Sequence, residues 1–220
     1  MIKNLIFDLG GVIMTIDQSE ALRRFKETGL TDAETYLDPY TQSGIFGDVE
    51  EGKITAEEFR AELSRIIGRE LTFDECKYCW LGYRKEVPAR NLDVLRDLRG
   101  KGYRLILLSN TNPFMMSWAL SNDFDGGKAS LSDYFDALYL SFRIGVMKPD
   151  IKFFQAVIDN EGINPEESLF VDDGPRNIEA ARRLGFNTMC PKNGEDWTGE
   201  LYSFIKKSGK LPSRGLYLGK

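Results

Sequence analysis

Five short apolar segments set the fold this chain can adopt. Ile2–Phe7 opens the chain, and Tyr103–Leu108, Asp136–Ser141, Ser168–Val171 and Phe186–Cys190 follow in its second half. Each has the length of a buried strand. Stretches of helical periodicity separate the later ones. Asn91–Lys101 places Leu92, Leu95 and Leu98 on one face and stops at Gly102, and Pro113–Leu120 begins another helix. After Lys148-Pro149-Asp150, with Asp150 as N-cap, a helix carries Phe153, Phe154, Val157 and Ile158 and stops near Gly162. The next carries Ile178, Ala181 and Leu184 and ends at Gly185. Strands alternating with helices predict an α/β fold with a parallel sheet covered on both faces.

Between Thr15 and Val87 no convincing strand appears. Three capping-box signatures do: Thr31-x-x-Glu34, Thr55-x-x-Glu58 and Thr72-x-x-Glu75. Phe59, Leu63, Ile66 and Ile67 fall on one helical face, and Leu22 with Phe25, then Tyr36 with Leu37 and Tyr40, suggest two further short helices. The expectation is a small helical bundle inserted after the first strand. Residues 1–14 and 88–205 then form one discontinuous core, 15–87 the helical unit, and 206–220 a basic tail.

Composition narrows the function. The 220 residues are 42% hydrophobic, enough for a real core. The formal net charge is −5 although Lys206, Lys207, Lys210, Arg214 and Lys220 crowd the end, so the body is more acidic still. An acidic body argues against a nucleic-acid surface. No apolar run reaches the length of a membrane span, and the N-terminus lacks the regions of a signal peptide, so a cytoplasmic protein is expected. Cys76-x-x-Cys79 has no second pair and no histidine to complete a zinc site, and is read as reduced cysteines on a helix. The chain contains no histidine at all. That removes Ser-His and Cys-His hydrolytic arrangements and histidine as a general base.

The strand exits carry the chemistry. The first strand ends on Asp8, followed by Gly10 and Gly11; the second ends on Ser109-Asn110; the fourth ends on Asp172-Asp173-Gly174. Lys148 follows the third. Parallel strands bring their exits to one edge, where ligands of open α/β sheets bind. Glycines beside Asp8 allow close approach of backbone and ligand. Three carboxylates in one small site repel one another unless a cation joins them. Oxygen-only ligation favours Mg²⁺, which also neutralises a phosphoryl group. A hydroxyl, an amide and a lysine suit phosphate oxygens, and an aspartate can be a nucleophile.

Taken in order, Ile6-Phe7-Asp8-Leu9-Gly10-Gly11-Val12, Leu107-Leu108-Ser109-Asn110, Gly145-Val146-Met147-Lys148-Pro149-Asp150 and Phe170-Val171-Asp172-Asp173-Gly174-Pro175-Arg176-Asn177 resemble the haloacid dehalogenase-like hydrolase superfamily over about Met1–Trp197. The resemblance implies a Rossmann-like core, a helical cap over the site, and Asp8 as nucleophile. It implies Mg²⁺ held by Asp8, the Gly10 carbonyl and Asp173, with Asp172 in or next to the metal shell. Ser109 and Lys148 would bind the phosphoryl group, with Asn110 beside Ser109, and Arg176 and Asn177 would orient their loop. The expected activity is phosphatase action on a small phosphorylated metabolite, first of all a sugar phosphate, by a monomer or homodimer.

One position departs from the pattern. Most phosphatases of the superfamily carry a second aspartate, a general acid and base, where this chain has Gly10. Such a group is worth about 10²–10⁴ in rate. The substrate can have a good leaving group, a cap residue can supply the proton, or the reaction can need none. The last case is a metal-independent 2-haloacid dehalogenase, which leaves Asp172-Asp173 unexplained. A relative that binds phosphate or metal without turnover is the other alternative. Trp80, Tyr83 and Arg84 of the helical unit can face the site, but core packing of the two aromatics and a solvated face for Arg84 fit equally well, so no role is assigned to them.

Overall fold

The structure is a computed structural model describing residues 1–37 and 42–209. Tyr40 and the tail from Lys210 lie outside the described residues. In chain order the strands are β1 (Asn4–Phe7), β2 (Thr15–Ile16), β3 (Arg84–Glu86), β4 (Arg104–Ser109), β5 (Ala137–Leu140), β6 (Ser168–Val171) and β7 (Asn187–Met189). The helices are α1 (Gln18–Thr28), α2 (Gly44–Glu51), α3 (Ala56–Ile67), α4 (Phe73–Trp80), α5 (Ala89–Gly100), α6 (Pro113–Ala119), α7 (Ser141–Ile144), α8 (Ile151–Glu161), α9 (Pro175–Arg183) and α10 (Thr198–Lys207).

Five strands form a parallel sheet in the order β5-β4-β1-β6-β7. β1 is central, with Phe7 beside Leu107 on one side and Val171 on the other. Strand side chains alternate between faces. Leu5, Phe7, Leu105, Leu107, Leu169 and Val171 enter one core with Leu95, Phe135 and Trp197. Ile6, Ile106, Leu108 and Phe170 enter the other, covered by Phe153, Phe154 and Val157 of α8 and Ile178 and Ala181 of α9. The expected α/β parallel sheet is thus present, each strand within a residue or two of its predicted place.

The first core is continuous with the interior of α1–α4. Phe46 of α2 lies at its centre, 5.1 Å from the Phe25 ring, 5.0 Å from Phe59 and 5.6 Å from Trp80. Thr55–Glu58 and Thr72–Glu75 form reciprocal capping boxes on α3 and α4. The Thr31–Glu34 box is not formed. A single 3₁₀ turn over Ala33–Thr35 starts from Asp32, and Glu34 pairs with Lys26 of α1 instead. β2 and β3, absent from the sequence expectation, pair antiparallel where the helical stretch leaves and rejoins the core. With two and three residues they are too short to leave a period. Cys76 and Cys79 are buried free thiols on α4.

Candidate active site

Parallel pairing puts the ends of β1, β4 and β6 at one edge of the sheet. Asp8, Ser109, Asn110, Lys148 and Asp173 there line one cavity of about 110 Å³. Its roof comes from Gln42, Glu50, Trp80 and Tyr83 of the helical stretch.

Lys148 is the hub. Its buried ammonium donates to the Leu108 carbonyl at 2.8 Å and to Asp172 Oδ2 at 2.6 Å, and sits 3.0 Å from Asp8 Oδ2. Burial favours the neutral amine, but Asp172 and Asp8 outweigh it and hold the lysine above its usual pKa, so it stays charged. Asn110 latches the segment: its amide donates to the Lys148 carbonyl at 2.9 Å and accepts from the Lys148 N–H at 2.8 Å. Ser109 is buried at the end of β4, and its hydroxyl donates to the Asn110 carbonyl at 3.3 Å.

The two aspartates after β6 differ in their surroundings. Asp172 is fully buried, and besides Lys148 it accepts from the Gly174 N–H at 2.7 Å and the Asn177 amide at 2.9 Å. Asn177 therefore does orient the loop. Asp173 faces Gly11, where φ is +76° and a Cβ would fall 2.1 Å from Asp173 Oδ2. Only glycine fits that conformation at that distance.

One oxygen each of Asp8, Asp172 and Asp173 lies within 4.8 Å of the others. Burial pushes the Asp8 carboxyl up to about 8, with Lys148 opposing and the other two aspartates adding to the shift. Burial and then Asp172 push Asp173 up to about 6. One ammonium does not balance three carboxylates, and a hard, oxygen-ligated divalent cation fits this donor set.

Gly10 lines the cavity with a hydrogen where a general acid would start, and a Cβ there would meet Ile16 Cγ2 at 3.3 Å. Arg84 instead lies over the Trp118 ring, outside this cavity. Trp80 and Tyr83 do line it, and among the described residues the buried Trp80 Nε1 and Thr111 Oγ1 atoms have no hydrogen-bond partner. Glu50 was missed by sequence reasoning. It lies in the last turn of the α2 helix, which has no side-chain cap, and nothing local distinguishes it from the surface glutamates around it.

The family model for haloacid dehalogenase-like hydrolase matches residues 2–185. A D-ribitol-5-phosphate phosphatase of Bacteroides thetaiotaomicron is 51% identical over 201 residues, covering 91% of this chain and 97% of that protein. A predicted HAD-like family hydrolase from Porphyromonas gingivalis superposes with a TM-score of 0.89 at 44% identity, covering 94% of this chain and 98% of its own. A HAD family enzyme of Bacteroides thetaiotaomicron, solved in complex with magnesium and inorganic phosphate, superposes with a TM-score of 0.84 at 36% identity, covering 91% and 99%. Among the described residues no helix is long and apolar enough to cross a membrane. With matching motifs along the sheet edge and a family match over most of its length, the chain belongs to the haloacid dehalogenase-like hydrolase family.

Proposed function

We propose that this chain is a Mg²⁺-dependent phosphatase of a small phosphorylated sugar or sugar alcohol, acting through an aspartyl-phosphate on Asp8. The observation that carries this reading is the trio of carboxylates within 4.8 Å of one another, two of them paired with Lys148. A carboxylate that displaces halide has no use for a cation, and that chemistry leaves the trio without a purpose. The polyol substrate class is supported by the 51%-identical ribitol-phosphate phosphatase.

Asp8 Oδ2 attacks phosphorus in line, and the ester oxygen leaves. Water then attacks phosphorus and frees the Asp8 carboxylate. Lys148, held charged, and the Ser109 hydroxyl bind the phosphoryl oxygens, with Asn110 keeping Lys148 in place. Asp8, the Gly10 carbonyl and Asp173 would hold Mg²⁺. Asp172 completes the acidic shell while fixing Lys148 and the Gly174 loop. The cation, when bound, neutralises negative charge shared by the phosphoryl group and the nucleophile. We assign 15–87 as a cap over the site of a core built from 1–14 and 88–205, acting in the cytoplasm as a monomer or homodimer. Cap closure excludes bulk water.

The test is phosphate release from a panel of sugar and sugar-alcohol phosphates, with Mg²⁺ and with chelator, for the wild type and Asp8→Asn. Turnover that needs both Mg²⁺ and Asp8 is expected. Full activity in chelator contradicts the reading.

A further inference from the structure

The missing acid at position 10 leaves a proton to be delivered to the leaving oxygen, and among the described residues the cavity holds one carboxyl group that is neither paired with Lys148 nor assigned to the cation. Glu50, on the last turn of α2, faces the same 110 Å³ space as Asp8, Ser109 and Lys148. Among the described residues its one hydrogen bond is a long one, from Asn112 Nδ2 to Oε1 at 3.4 Å. Asn112 Oδ1 is already occupied by the Met115 N–H at 3.0 Å, which fixes the amide with its donor side toward Glu50. Among the described residues no cation pairs with Glu50, and Lys148 is committed to Asp8, Asp172 and Leu108.

We propose, on the basis of the phosphatase reading above, that Glu50 of the helical cap is the general acid and base of the reaction, replacing the aspartate absent at Gly10. In the first step the Glu50 carboxyl gives its proton to the ester oxygen as the P–O bond breaks and the bond from Asp8 forms, releasing the alcohol. In the second step the Glu50 carboxylate takes a proton from the attacking water as the P–O bond to Asp8 breaks. Inorganic phosphate leaves, and both carboxyl groups return to their starting states.

Two geometric observations and one electrostatic effect support the assignment besides the shared cavity. Glycine at position 10 brings no carboxyl to the cavity, and a Cβ there would crowd Ile16 Cγ2 at 3.3 Å. The end of α2 is held against the core: Gly52, at φ +75°, sits so close to the Phe142 carbonyl that a Cβ would lie 2.3 Å from that oxygen. Burial also lifts the Glu50 carboxyl to about 7, near the value at which one group serves as both acid and base. The other titratable groups on the cavity are Asp8, Lys148, Asp173 and Tyr83.

The experiment compares wild type and Glu50→Gln, in Mg²⁺, on three phosphate esters. These are a pentitol 5-phosphate, a simple alkyl phosphate without further hydroxyls, and nitrophenyl phosphate, whose leaving group needs no proton. The expected result is a fall in kcat/KM of about 10²–10⁴ on both alkyl esters and a far smaller one on the nitrophenyl ester. Because water attack also loses its base, the variant should release nitrophenol in a burst equal to the enzyme concentration, then turn over slowly. A loss confined to the pentitol ester, which a hydroxyl-binding role would give, overturns the proposal. So does an equal loss on all three, or none. Wild type alone supplies a second test should the variant fold poorly. Its kcat/KM across ring-substituted aryl phosphates should depend little on the leaving group, and a steep dependence overturns the assignment. If wild type hydrolyses none of the esters, the phosphatase reading fails first and takes this one with it.

Discussion

Gly11 and Asp173 compete for the same space: a Cβ on Gly11 would lie 2.1 Å from Asp173 Oδ2. The second glycine after Asp8 is therefore what lets the loop after β6 bring Asp173 against the end of β1. Gly11→Ala must either displace the carboxylate or distort a backbone already at φ +76°. Mg²⁺ affinity should fall by about tenfold to a hundredfold. The Mg²⁺ dependence of activity and of Tm measures it, and an unchanged dependence on both counts against the assigned cation position.

Asn110 acts on Lys148 through two backbone bonds rather than through a ligand of its own. Asn110→Ala frees the segment that carries the hub lysine. A displacement of that group by about 1 Å costs on the order of 100-fold in kcat. Asn110→Asp keeps one of the two bonds, the one from the Lys148 N–H, and should lose less than the alanine variant. Steady-state kinetics on the best substrate ranks the two.

Glu50 also links stability to pH. Burial raises its folded pKa to about 7, above its ordinary value of 4.5. The stability this group contributes is fully present below about pH 4.5 and is lost as pH rises through 7. Glu50→Gln keeps a neutral side chain at every pH. It should gain on wild type progressively across that window and hold a constant advantage above it. Denaturant unfolding of both proteins at several pH values in chelator reads the difference, and parallel curves would contradict the burial of this carboxyl.

The helical unit depends on one ring. Phe46 is fully buried and packs against Phe25, Phe59 and Trp80 together. Phe46→Ala should cost about 3–5 kcal/mol of stability. Because Glu50 follows one turn later on the same helix, activity should fall as well. Unfolding monitored by Trp fluorescence measures the first effect.

The sheet was legible because β1, β4 and β6 are continuous apolar runs, and parallel order then forces Asp8, Ser109 and Asp172 to one edge. Lys148 could be placed near them for the same reason. Its threefold grip on Asp8, Asp172 and the Leu108 carbonyl could not, since that depends on side-chain geometry. The roof was hidden. Glu50 reaches the cavity through packing of α2 against the rest, and Trp80 and Tyr83, which the sequence leaves undecided between site and core, reach it from the end of α4 and the 3₁₀ turn that follows. The Thr31 signature is not used: the turn starts at Asp32, one residue later, and Glu34 points to Lys26 of the neighbouring helix. Capping motifs describe local preference, which the start of the turn at Asp32 overrides here.

The central claim is that Asp8 becomes phosphorylated, and acid quenching during turnover tests it directly. With Mg²⁺ and a good substrate, mass spectrometry should find a phosphoryl group on the peptide carrying Asp8, more of it in Glu50→Gln than in wild type, and none in Asp8→Asn. Steady phosphate release by Asp8→Asn at the wild-type rate, with no adduct on that peptide in any of the proteins, would contradict the account.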